Sequence, residues 1–133
     1  MKTCMITGAS RGIGRAIAIE LSKKEDIQNF ILIARNKKLL EETKKMMEPS
    51  KQVDIYTIDF SNISEVESSI QSIVNDYKGI DILINNAGYV EPRSLLETTI
   101  ENWEITFRVN VTSVFVITRE VVKSMKRRGG KII

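Results

Sequence analysis

The sequence predicts an α/β fold, a doubly wound parallel sheet with helices on both faces. Three observations carry that reading. Short apolar runs alternate with amphipathic stretches of ten or more residues. The second run, Phe30-Ile31-Leu32-Ile33-Ala34, is apolar without a break, the mark of a strand covered on both sides. A glycine-rich turn, Thr7-Gly8-Ala9-Ser10-Arg11-Gly12-Ile13-Gly14, separates the first apolar run from the first amphipathic stretch. Right-handed crossovers convert such an alternation into a doubly wound sheet.

Taken in order, residues 2–6 read as the first strand. Residues 12 to about 24 read as the first helix, with Ile13, Ile17 and Leu21 on one face. The second strand is Phe30–Ala34. Residues 37–48 are rich in Lys, Leu, Glu and Met and stop before Pro49, as a helix would. Val53–Ile58 reads as the third strand. Ser61 or Asn62 caps the next helix, with Glu65 three residues after Asn62 in the manner of a capping box. Val66, Ile70, Ile73, Val74 and Tyr77 carry its apolar face, and Gly79 stops it. Ile80–Ile84 is the fourth strand and Asn85-Asn86-Ala87-Gly88 its turn. A polar loop with Pro92 leads into one long helix, from about Thr99 to Arg128, which Gly129-Gly130 breaks. Lys131-Ile132-Ile133 reads as the start of a fifth strand, so the sheet is expected to be truncated there.

Composition sets limits. The 133 residues fit one domain with a real core. No apolar run approaches the roughly 20 residues of a membrane helix, and the N-terminus lacks the apolar stretch of a signal peptide. A single Cys forms no internal disulfide, which fits a reducing cytoplasm. The net charge of +3 arises from basic residues interleaved with 17 acids, so no nucleic-acid footprint is expected. His is absent, which excludes a Ser-His-Asp triad, a Cys-His pair and a His-ligated metal within the chain.

Ligands of doubly wound sheets bind outside the carboxyl ends of the strands. Residues 8–14, 34–38, 59–60 and 85–88 all fall at such ends. Gly8, Gly12 and Gly14 let the backbone turn sharply and bring main-chain N–H groups and a helix N-terminus close to phosphate oxygens. That is the physics of a dinucleotide pyrophosphate site. The G-x-x-x-G-x-G spacing is not G-x-G-x-x-G, and no G-K-S/T closes it as in a P-loop.

With these residues in place, the chain resembles the short-chain dehydrogenase/reductase family along its whole length. T-G-A-S-R-G-I-G at residues 7–14 matches the cofactor motif and N-N-A-G at 85–88 a second motif. Asp59 after the third strand and Asn110 within V-N-V-T match two further positions. The general look is that of 3-oxoacyl-carrier-protein reductases and related carbonyl reductases, sepiapterin-reductase-like enzymes included. The resemblance implies that residues 1–133 form a single NAD(P)-binding domain of the Rossmann type. It also implies a soluble, cytoplasmic oxidoreductase acting on a small-molecule carbonyl, and a homodimer or homotetramer in the full-length protein.

The resemblance carries Ser10, Arg11 and Ile13 along with the three glycines as cofactor-binding residues. Arg11 is in a position to reach a 2′-phosphate. Asp59 would accept from the adenine amino group with Phe60 beside it, and Asn86, Ala87 and Gly88 would line the ribose and nicotinamide side. Asn110 would hold a water and organise proton relay, or else tie its helix to the sheet. At the end of the second strand the residues speak for themselves. An acid about 20 residues beyond the glycines binds the ribose 2′-hydroxyl of NAD. Ala34 stands there, followed by Arg35-Asn36-Lys37-Lys38. A guanidinium binds a 2′-phosphate in a forked geometry where an acid would repel it. NADP(H) is therefore expected, with Arg35 and Asn36 as its contacts and the two lysines as a solvated helix start.

The family's catalytic Ser follows the fifth strand, and its Tyr-x-x-x-Lys pair lies further on. Tyr56, Tyr77 and Tyr89 all precede that point, and none has a Lys four residues later. Ser94 lies in the loop after the fourth strand. None of these is carried over, so Asn110 is the one catalytic position expected here. The alternative function is a dinucleotide-binding module or sensor without catalysis.

Overall fold

In the computed structural model, which describes residues 1–125 and 129–133, five strands and five α-helices follow one another. They are β1 (Lys2–Thr7), α1 (Gly12–Ser22), β2 (Ile27–Ala34), α2 (Lys37–Met46), β3 (Gln52–Thr57), α3 (Ile63–Asp76), β4 (Ile82–Ile84), α4 (Ile100–Phe107), α5 (Ser113–Met125) and β5 (Lys131–Ile132). The sheet order is β3-β2-β1-β4-β5, and every pairing is parallel. Met5 stands opposite Ile31 on one side and Leu83 on the other.

The two-residue period of a strand explains the unbroken apolar runs. Cys4, Ile6, Phe30, Leu32 and Ala34 join one core layer with Ala18 of α1 and Leu40 of α2. Met5, Ile31 and Ile33 point the other way, into a layer with Val66, Ile70 and Ile73 of α3 and Val116, Ile117 and Val121 of α5. Both strand faces are buried, so neither needs a polar residue. Burial pushes the Cys4 thiol up to about 12, which keeps it an inert apolar group.

Of the two candidate caps for α3, Asn62 takes the role: its side-chain oxygen accepts from the Glu65 N–H at 3.2 Å. The expected single long helix is interrupted. Thr99 and Asn102 form a reciprocal capping box at the start of α4. Residues Arg108–Thr112 then make one turn of π-helix, and the Ser113 N–H bonds to the Arg108 carbonyl five residues back. The reason is local: Val109 is buried while Asn110 is exposed and bonded elsewhere, so the extra residue lets each face its own partner. Lys126, Arg127 and Arg128, cations whose place in the sequence would suit the negative end of a helix dipole, lie outside the described residues. Lys123 bonds to Glu120, a carboxylate buried to 3% exposure. Lys123 and Arg119 together hold that carboxyl below the usual range. Arg119 also reaches Glu67, joining α5 to α3.

The turn into α1 is closely packed. A Cβ on Gly14 would overlap the Gly8 carbonyl oxygen and the Asn86 side-chain nitrogen. Gly12 meets the opposite condition. Its φ is +56°, but a Cβ there would meet nothing within 4 Å. Gly14→Ala is therefore expected to destabilise the protein by about 3 kcal/mol or more, through overpacking. Gly12→Ala should remove only about 1–2 kcal/mol, the strain of the left-handed backbone. Urea denaturation of the two variants checks this; equal losses would mean that the close approach is not the constraint.

Candidate functional site

β1 is flanked by β2 and β4, which run out to opposite sides of it. This is the switch point of the sheet, where a crevice opens beyond the carboxyl ends of the strands. Two turns meet there. Thr7, 1% exposed, accepts with its Oγ1 from the main-chain N–H groups of Asn86 at 3.1 Å and Ala87 at 3.0 Å. Asn86 Nδ2 donates to the carbonyls of Thr7 and Gly8, both at 3.1 Å. The turn after β1 and the turn after β4 are thereby one rigid unit. On its other side, the Gly8 N–H donates to the Ile33 carbonyl of β2 at 2.8 Å.

Above this unit lies an open cleft of about 830 Å³, within the range of small-molecule sites. Gly8, Ser10, Arg11, Gly12 and Ile13 line it from the first turn. Arg35, Asn36 and Phe60 line it from the ends of β2 and β3, and Asn86, Ala87 and Gly88 from the end of β4. Three candidate residues stand back from it. Gly14 lies behind the turn, where its lack of a side chain lets α1 sit against Gly8 and Asn86. Asp59 is exposed, and its Oδ1 accepts from the Ser61 N–H at 3.0 Å and the Ser61 hydroxyl at 2.7 Å. Those Ser61 hydrogen bonds, with Arg35 as a lesser cause, hold the Asp59 carboxyl below the usual carboxylate range. Asn110 sits in the π-turn and grips the Tyr89 main chain: Oδ1 accepts from its N–H and Nδ2 donates to its carbonyl, both at 2.7 Å.

The charges around the cleft are positive. Its lining contains Arg11, Arg35 and Lys37 and, among the described residues, no carboxylate. α1 begins at its floor with no side-chain cap and no acid in its first turn, so its N-terminal N–H groups and positive dipole end face the cleft unneutralised. α2, α3 and α4 have their caps filled by Asn36, Asn62 and Thr99. Asn36 thus has two places at once: it lines the cleft, and its side chain accepts from the Leu39 N–H at 3.0 Å.

Several participants escape a reading of the sequence. Thr7 opens the glycine motif, but its hydroxyl's role in joining the two turns does not show in the sequence. Lys37 lines the cleft rather than merely opening a solvated helix, and Leu39 lines it too. Tyr89 gives its hydroxyl proton to Glu91 at 2.7 Å. Glu91 also takes Arg93 and the Asn102 side chain, which fixes the loop beside the cleft.

Comparison with known proteins agrees with this geometry. The family model described as short chain dehydrogenase matches residues 2–133. A mouse 17-beta-hydroxysteroid dehydrogenase 13 is 34% identical over 128 residues, which are 96% of this chain and 41% of that protein. The 3-oxoacyl-acyl-carrier-protein reductase FabG of Buchnera aphidicola is 32% identical over 99% of this chain and 53% of its own length. Among solved structures, an alcohol dehydrogenase from the archaeon Thermococcus sibiricus, complexed with 5-hydroxy-NADP, superimposes with a TM-score of 0.88 at 30% identity. That match covers 99% of this chain and 56% of the archaeal one. The chain spans about half the length of the curated relatives it matches. With glycine turn, switch-point cleft and family match in agreement, the chain belongs to the short-chain dehydrogenase/reductase family of oxidoreductases.

Proposed function

We propose that residues 1–133 form the dinucleotide-binding domain of an NADP(H)-dependent oxidoreductase that reduces a small-molecule carbonyl, a ketone or 3-oxoacyl group, to an alcohol. The observation that carries the reading is the cationic cleft with Arg35 at the end of β2, where an acid would serve NAD. The residues present fit such a cofactor. Gly8 and Gly12 leave the turn without side chains over the phosphate path, and the uncapped start of α1 supplies its donors. Arg11 from the glycine turn and Arg35 from the end of the adjacent strand β2 both line the cleft and would take the 2′-phosphate between them. Phe60 would lie beside the adenine, with Asp59 set back next to it as acceptor for the amino group, and Asn86, Ala87 and Gly88 would face the nicotinamide side. The bound nicotinamide would supply the hydride.

The alkoxide formed by hydride transfer needs a positioned proton donor. A phenol near its ordinary pKa of about 10 is a weak acid and base at neutrality unless a cation sits beside it. In this chain Tyr77 is pushed up instead, by burial and its hydrogen bond to Asp54, and Tyr89 by its bond to Glu91. Neither is a proton donor for the cleft. Asn110 belongs to the proton path as an organiser: an amide has two lone pairs and two hydrogens, so capacity for a water remains beyond its two bonds to Tyr89.

Three outcomes test the reading. Arg35→Ala in the protein that carries this chain should weaken NADP(H) by about 1–3 kcal/mol and leave NAD(H) nearly unchanged, as followed by titration. An unchanged ratio would remove the 2′-phosphate assignment. Residues 1–133 alone should turn over ketones and 3-oxoacyl thioesters about 10²–10⁴-fold or more below the intact protein, with NADPH oxidation as the readout. Turnover by neither would favour the non-catalytic module, and equal turnover would show the catalytic groups misplaced. Trp103, Phe107 and Phe115 are 58%, 45% and 59% exposed along α4 and α5, with the first two rings 4.9 Å apart. Such a patch drives association, in keeping with a homodimer or homotetramer of the full-length protein. Sedimentation should show the mass of the purified chain rising with concentration, and Phe115→Ser should suppress the rise.

A further inference from the structure

Arg15 and Thr43 belong to neither the cleft lining nor the family motifs, yet they hold its two halves together. Thr43, fully buried on α2, donates from its hydroxyl to the Ala9 carbonyl at 2.9 Å. The same oxygen accepts from Arg15 Nε at 3.0 Å. Arg15 Nη2 donates to the Ser10 carbonyl at 2.6 Å and the Leu39 carbonyl at 3.3 Å, with Glu42 Oε2 at 3.5 Å. Among the described residues, the side-chain hydrogen bonds that join the glycine turn to α2 all pass through these two residues.

We propose that Arg15 and Thr43 are positioning residues that set the preference for NADP over NAD by locking the glycine turn to the start of α2. The inference rests on the 2′-phosphate reading of Arg11 and Arg35 given above. The turn carries Ser10 and Arg11, and the start of α2 follows directly on Arg35 and Asn36. A pyrophosphate needs only the turn. A 2′-phosphate held between Arg11 and Arg35 needs both pieces at a fixed separation. Loosening the clamp therefore weakens the ligand that bridges the pieces and spares the one that does not. The guanidinium suits the task because its fixed fork serves several acceptors at once, which a single ammonium cannot do with the same geometry.

The test uses the intact protein that carries this chain, titrated with NADP⁺ and NAD⁺. Thr43→Val keeps the shape and removes the hydroxyl. NADP⁺ affinity should fall about fivefold, the worth of one ordinary hydrogen bond, while NAD⁺ affinity changes less than about twofold. Thr43→Ser should restore the ratio. Arg15→Gln, at a side chain 22% exposed, should shift the ratio in the same direction and keeps the test open if Thr43→Val does not fold. In an Arg35→Ala background, Thr43→Val should no longer change the ratio, because the bridging contact is already gone. Equal weakening of both cofactors, or an unchanged ratio in both Thr43→Val and Arg15→Gln while Arg35→Ala lowers it, overturns the clamp and leaves the Arg35 assignment standing. An unchanged ratio in Arg35→Ala itself overturns the 2′-phosphate reading and the clamp with it.

Discussion

The bonds between Thr7, Gly8 and Asn86 are the constraint on which the rest of the molecule depends. They fasten the end of β1 to the end of β4 at the point where the strand order reverses. Without that fastening the two turns would be separate loops, and a cleft between them would have no floor. With it, α1 must start hard against the joint, which only a glycine at position 14 permits. Strand pairing, helix placement and cleft geometry thus meet at a few atoms. Thr7 is buried and Gly8 and Asn86 half-buried, and their polar groups satisfy one another, so losing one strands its partners.

The division of labour among helix termini follows from the same economy. Three helices have their first-turn donors occupied by their own side chains, Asn36, Asn62 and Thr99. Those ends serve stability. α1 leaves its donors unfilled at the floor of a cleft lined by cations. An unfilled terminus next to positive side chains costs some stability, a penalty that a phosphate bound as proposed would remove.

Much of this was legible in the chain. The apolar runs announced a sheet buried on both faces, and alternation in β1 and β2 between two core layers is the physical content of that signal. The glycine turn and N-N-A-G were recognisable because backbone approach and tight turns demand particular residues. What escaped was long-range pairing. Thr7, Arg15 and Thr43 are ordinary residues whose roles come from neighbours up to 80 positions away, and no local pattern encodes such a partner. The π-turn escaped for a related reason. Residues 109–118 are poor in strong helix formers, but composition does not place an extra residue, and only the competing demands of buried Val109 and Tyr89-bound Asn110 reveal it. Asp59 was legible as a strand-end acid, but its engagement with Ser61 two residues on was not.

That extra residue acts as a phase shifter. Each residue advances an α-helix by about 100°, so the five-residue turn at Arg108–Thr112 offsets the stripe pattern of α4 from that of α5. Shortening the segment by one residue would yield a smoother rod, yet it would swing the Trp103 and Phe107 side of α4 by about that angle relative to Phe115 on α5. The exposed rings of α4 would then face a different direction relative to Phe115 than they do now. An irregularity that looks like a defect in the helix thus sets the angle between the exposed aromatics of α4 and Phe115 of α5, and it does so from the same turn that presents Asn110 to the loop beside the cleft.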